Sequence, residues 1–73
     1  MLTEAVNSLK NYCITNKNLY KEEAINYLSA FKEGNRSLLI IEEVEDIIRE
    51  ILEDTDLDTS IDRICVISSS INI

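Results

Sequence analysis

The chain contains almost none of the residues that interrupt a helix, since it has no proline and a single glycine, Gly34. Proline kinks or ends a helix and glycine weakens its interior, so helices can run here with few interruptions. The turns between them must come from asparagine and from charged residues. Helices are therefore predicted wherever apolar residues recur three and four apart, because that spacing places them on one buried face.

The first 15 residues predict one helix. Its apolar residues recur four, three and four apart, and they are Leu2, Val6, Leu9 and Cys13. This spacing predicts a buried face on a helix over about residues 3–15, with Thr3 as the amino-terminal cap. The polar residues 16–18 then predict a turn.

A second helix is predicted from Asn18, as its cap, to Gly34. Glu22 and Glu23 are assigned to its first turn, where the helix dipole favours negative charge. Gly34 is expected to end the helix in a left-handed conformation. The predicted core face consists of Tyr20, Ala24, Tyr27, Leu28 and Phe31.

The third predicted helix follows Ser37, its expected cap, and has the widest apolar stripe of the chain. The stripe consists of Ile40, Ile41, Val44, Ile47, Ile48, Ile51 and Leu52. We therefore expect it to be the central core helix. Its members Ile41, Val44, Ile48 and Ile51 also keep a three-four-three spacing, which would suit the seam of a helix dimer.

The end of the chain fits two structures. A fourth helix over about residues 58–69 would be capped by Asp58 or Thr59, with Thr59 and Asp62 as a capping box. Alternation of β-branched residues between Cys65 and Ile73 would instead suit a strand. A lone strand lacks a partner, so the favoured fold is a single all-α domain over residues 1–73, a small bundle of three to four helices. The alternative is an α+β fold with a carboxyl-terminal strand.

The two cysteines, Cys13 and Cys65, fall among apolar positions far apart in the chain and lack metal-type spacing. We expect both to be buried packing thiols, and the alternative is a disulfide or a reactive nucleophile. With no amino-terminal signal peptide, this predicts a reduced, cytoplasmic protein. The longest uncharged run, residues 64–73, is about half of what a membrane-spanning helix needs, so no membrane association is expected.

Charge is divided unequally along the chain. Residues 1–36 carry five basic and four acidic side chains, whereas residues 37–73 carry two basic and ten acidic ones, and the formal net charge is −7. Glu42, Asp46, Glu50 and Asp54 stack at four-residue spacing on the third helix, which destabilises a helix slightly. Such a charge opposes direct binding to nucleic acid or to anionic lipid.

The acidic stripe predicts a surface that meets a basic surface of another protein. Its predicted partner-binding residues are Glu42, Glu43, Asp46, Glu50, Glu53, Asp54, Asp56 and Asp58. The alternative is a solvated face that only keeps a small protein soluble.

Alternate acids from Asp54 onward have the spacing of a calcium loop. Asp54, Asp56, Asp58, Ser60 and Asp62 occupy positions 1, 3, 5, 7 and 9, so the stretch resembles an EF-hand loop. It departs from the family at two positions. Thr59 replaces the glycine of the sharp turn, and Cys65 replaces the bidentate glutamate that closes the calcium shell. We therefore expect no metal site and no cofactor.

The segment GNRSL, residues 34–38, precedes an acidic helix near the middle of the chain. It resembles acyl carrier proteins, small acidic four-helix domains in which a serine before a leucine bears a phosphopantetheine arm. The resemblance covers about residues 34–53 and implies Ser37 as the attachment site. Arg36 stands where the family has an aspartate, which puts that role in doubt.

No enzymatic activity is expected, because the chain has no histidine and no serine or cysteine with an evident activating partner. The favoured function is a small acidic interaction module that acts as an inhibitor, an immunity or antitoxin-like factor, or a regulator. Its Ile, Asn, Lys and Glu usage suggests a bacterial or phage source. The alternatives are a carrier domain modified at Ser37 and a self-associating module that forms a homodimer.

Overall fold

The computed structural model describes residues 2–54 and 56–71, and these form four α-helices. The helices are Leu2–Thr15 (α1), Asn18–Glu33 (α2), Leu38–Leu52 (α3) and Leu57–Ile71 (α4). The predicted all-α bundle is therefore confirmed. The alternative strand is wrong as far as Ile71, because α4 continues to that residue; residues 72 and 73 lie outside the described part.

The four helices are arranged in a ring. Helix α1 packs against α2 and α4, and α3 also packs against α2 and α4, so α1 and α3 lie diagonally opposite. The short loops make neighbours in the chain antiparallel. The buried apolar residues form one cluster between the helices: Leu2, Ala5, Leu9, Ala24, Leu28, Val44, Ile47, Ile51, Ile64 and Ile67.

Helix α3 contributes its apolar stripe to this core, but it is not the central helix that was predicted, because each helix of the ring contacts two others. Val44, Ile47 and Ile51 are fully buried, with Ile40 and Ile48 packed against them. The Ser37 hydroxyl accepts a hydrogen bond from the backbone N–H of Ile40 at 3.4 Å, which confirms the predicted cap. Leu52 does not belong to the core and is 61% exposed.

Helix α1 buries Leu2 and Leu9 as predicted, but the rest of its buried face differs from the prediction. Ala5, Ser8 and Tyr12 are buried together with Leu2 and Leu9, whereas Val6 is half-buried. Helix α1 packs most closely against α2, and the small Ser8 lies at that contact, where its hydroxyl donates to Glu23 at 3.4 Å. The prediction of buried cysteines was wrong: Cys13 and Cys65 are both exposed.

The ends of α2 also differ from prediction. Lys17, not Asn18, occupies the cap position and makes no side-chain cap bond, so Glu22 and Glu23 fall beyond the first turn. Gly34 has a φ of −86°, which is right-handed. Among the described residues, the left-handed ones are instead Asn16 and Asp54, with φ of 60° and 57°, after α1 and α3. Asparagine and aspartate tolerate this conformation better than other residues with a side chain.

Helix α4 begins one residue earlier than predicted, and Asp56 caps it. The carboxylate of Asp56 accepts from the backbone N–H of Thr59 at 3.3 Å and from its hydroxyl at 2.8 Å. The predicted cap at Asp58 or Thr59, with the Thr59 and Asp62 box, was therefore wrong. The hydrogen bond from the Thr59 side chain, followed by that from its backbone, lowers the pKa of Asp56 below its ordinary 3.8.

Asp56→Ala is expected to lower the thermal midpoint of unfolding, because the first N–H groups of α4 lose their acceptor. The pKa of Asp56 is lower in the folded than in the unfolded protein, so its contribution is fully present above pH 3.8. It is lost as pH falls through the lowered value. Circular dichroism melts should therefore show a deficit at neutral pH that shrinks on acidification. Asp62→Ala, at an exposed position beyond the first turn, is the control; an equal deficit there would contradict the capping role.

Candidate interaction surface

The eight predicted partner-binding acids do not form one continuous surface. The core of α3 faces inward through Val44, Ile47 and Ile51, which divides the acids of this helix into two groups. Glu42, Asp46 and Glu53 are exposed, and by helical spacing they lie opposite the core. Glu43 and Glu50 lie on the side that packs against α4. Asp54, Asp56 and Asp58 follow the end of α3 and have separate surroundings.

Arg63 of α4 holds the two glutamates that face it. Its guanidinium donates a hydrogen bond to Glu50 Oε1, and its second terminal nitrogen lies 3.9 Å from Glu43 Oε2. The fully buried Ser60 donates its hydroxyl to Glu50 Oε2 at 3.0 Å. We call Arg63, Glu43, Glu50 and Ser60 the Arg63 cluster. It joins α3 to α4 mainly through Glu50, which therefore stabilises the fold. Glu43 is 55% exposed and only 3.9 Å from the guanidinium, so it remains open to a second cation.

Asp54 joins the end of α3 to the first two helices. It accepts a hydrogen bond from the Tyr12 hydroxyl at 3.2 Å, and Lys21 Nζ lies 3.7 Å from the same oxygen. Lys21 also lies 5.7 Å from the centre of the Tyr12 ring. Burial, and then the negative charge of Asp54, raises the pKa of Tyr12 above its ordinary 10.0. The left-handed backbone at Asp54 directs the chain away from α3, and its carboxylate is used within the fold.

The outward acids differ from these in having fewer partners. Glu42, Glu53 and Asp58 are exposed and make no ion pair within residues 2–54 and 56–71. Asp46 is exposed and lies 3.2 Å from Arg49, one turn along the same helix. Exposed pairs of this kind contribute little, so Asp46 can exchange Arg49 for another cation. We call Glu42, Asp46 and Glu53 the outer acidic face. Asp58 is not part of it, because it lies beside Lys10 and Ile14 of α1, the helix diagonally opposite α3.

An apolar surface next to these acids was missed by the sequence analysis. Leu38 and Leu39, in the first turn of α3, are 75% and 76% exposed, and Val66 of α4 is 65% exposed. A groove between the two helices is lined by Leu39, Ile40, Glu43, Val66, Ile67 and Ser70, and we call it the α3–α4 groove. The sequence does contain a signal for this surface, because Leu38 and Leu39 precede the apolar stripe of α3 and do not lie on the same face of the helix.

The acids of the calcium-like stretch do not form a loop. Asp58, Ser60 and Asp62 lie on α4, and Ser60 is directed to Glu50. Within the described ranges no three His, Cys, Asp or Glu side chains are grouped so that they could hold a metal ion. Ser37, the residue implied by the carrier-protein resemblance, caps α3 with its hydroxyl. None of the described helices is long and apolar enough to span a bilayer.

No known family model matches this sequence, and comparisons with characterised proteins and with solved structures find no similar chain. The evidence for function is therefore the surface itself.

Proposed function

We propose that the protein is a small interaction module that binds a basic surface of another protein and blocks it, as an inhibitor, an immunity or antitoxin-like factor, or a regulator. The observation that supports this most is the outer acidic face. Its carboxylates are exposed, and Glu42 and Glu53 have no ion-pair partner in the described part of the chain. Of the other predicted acids, Glu43, Glu50, Asp54 and Asp56 have partners within the fold, and Asp58 lies on the α1 side of the bundle.

The charge distribution supports a role in steering association. Glu42 and Glu53 are 11 residues apart on one helix, which corresponds to about 16 Å at the rise of an α-helix. The screening length in physiological salt is only about 8 Å, so a partner must come close before it feels the individual carboxylates. A partner with lysines or arginines over a similar distance would contact both ends of the face. Its association rate should rise at low salt.

Variants that remove charge from the outer acidic face test this proposal. Glu42→Gln with Glu53→Gln removes two charges from the outer acidic face, and Glu22→Gln with Glu33→Gln removes two from exposed positions on α2. Both pairs make the same change in net charge. We expect the α3 pair to lose most of the basic partner recovered from a host lysate, because steering and contact both depend on this face. The α2 pair should retain it.

The measurement is quantitative mass spectrometry of proteins retained by the immobilised wild type and both variants. Retention should fall between about 0.15 and 1 M salt, as the screening length shortens to about 3 Å. Equal losses for both pairs would mean that only net charge matters and would refute a localised acidic site. Retention that does not respond to salt would refute binding through charge.

A further inference from the structure

The α3–α4 groove adds an apolar contact beside the acids. We propose that it docks an amphipathic helix of the partner protein, whose apolar residues enter the groove and whose lysines or arginines meet Glu42 and Glu43. This inference rests on the proposed function, because it names the kind of segment that the module recognises.

The apolar part of the groove is formed by both helices. Ile67 is 6% exposed and Ile40 is partly buried, so they form the floor, while Leu39 and Val66 stand out on either side. The Ser70 hydroxyl donates to the backbone carbonyl of Val66 at 3.1 Å, so its own helix satisfies it. A groove between two helices accepts apolar side chains spaced three and four apart on a docking helix.

The charge at the rim determines which helix fits. Glu43 lines the groove, and Arg63 is shared between Glu43 and Glu50, so one guanidinium faces two carboxylates. Glu42 adds a further exposed carboxylate one residue away. The nearest basic residues in the sequence are Arg36, just before α3, and Arg49, which pairs with Asp46. The acids outnumber the bases here, so cations on either side of the docked apolar stripe are favoured.

A second copy of the chain is a poorer occupant. In a symmetric dimer the same patch of both copies meets across the axis. Docking groove to groove would bring Glu42 and Glu43 of each copy together, in a chain whose net charge is already −7. Like charges at an interface oppose association, whereas a basic helix gains from the same acids.

The test uses two fluorescein-labelled synthetic helical peptides that share leucines at i, i+4, i+7 and i+11. The other positions are mainly lysine in one peptide and glutamate in the other. Fluorescence anisotropy measures the Kd of each. We expect the lysine peptide to bind and the glutamate peptide not to bind. Leu39→Ser with Val66→Ser should raise the Kd of the lysine peptide by about tenfold or more, because the groove loses its apolar sides.

The matched control is Ile14→Ser with Leu52→Ser, which removes two equally exposed apolar side chains elsewhere and should change Kd by less than about twofold. Equal binding by the groove variant and the wild type overturns the groove proposal. If Glu42→Gln with Glu53→Gln still weakens that binding, the proposed function stands without the groove. Binding of neither peptide also overturns the groove proposal, and the lysate experiment then decides the function separately. Sedimentation of the wild type and the groove variant tests the remaining occupant. If the wild type is a dimer and the groove variant is a monomer, the groove binds a second copy and the proposal is overturned.

Discussion

Ile51→Ala should leave much of the protein unfolded at 25 °C in the absence of denaturant. Ile51 is fully buried in the last turn of α3, and removing three of its carbons leaves a cavity in the core. Such substitutions lower the free energy of unfolding by about 2–5 kcal/mol. A chain of this size typically has only about 3–5 kcal/mol in total, so the loss is comparable with the whole stability. Urea titration followed by far-ultraviolet circular dichroism measures it, since the chain has no tryptophan.

The adjacent substitution Leu52→Ala is the control for this experiment. It removes a similar apolar side chain from the same helix, and alanine raises helix propensity at both positions. Leu52 is 61% exposed, so its truncation leaves no cavity and should change the free energy of unfolding by less than about 0.5 kcal/mol. Equal losses in the free energy of unfolding would contradict the finding that Ile51 faces the core and Leu52 faces solvent.

The features that the sequence predicted correctly are local. Ser37 lies three residues before the N–H that it caps, and the stripe of α3 repeats within a single helix. Both patterns depend on residues at most a few turns apart, so they are visible without the fold. The same applies to the existence of all four helices, because neither proline nor internal glycine breaks the apolar periodicity.

The features that the sequence did not predict depend on contacts between helices. Ala5 and Ser8 are buried by the helices that pack against α1, most closely by α2, and periodicity of large apolar residues gives no weight to small ones. Likewise, Glu50 and Arg63 are 13 residues apart and meet only because α3 packs against α4. The stripe of acids is visible in the sequence. Which of these acids are held within the fold is not, because that depends on contacts with Arg63, Lys21 and Tyr12.

Arg63→Met should lower the free energy of unfolding by about 1–2 kcal/mol. The substitution keeps the unbranched stem and removes the charge, so Glu43 and Glu50 lose their shared cation. Breaking a fully buried ion pair costs about 3–5 kcal/mol. The Arg63 and Glu50 side chains retain 28% and 33% exposure, so water compensates part of that loss. Urea titration at two salt concentrations measures the change.

Arg49→Met provides the matched comparison, because it makes the same change in net charge on the neighbouring helix. Arg49 is 67% exposed and pairs with Asp46 within α3, so its loss should cost no more than about 0.5 kcal/mol. Adding Glu50→Gln to Arg63→Met should recover part of the stability, because the amide can still accept from Ser60 without repelling Glu43. Equal costs for the two arginine variants would mean that Arg63 does not hold these acids. Glu43 and Glu50 would then belong with the outer acidic face, and the surface offered to a partner would be the whole stripe from Glu42 onward.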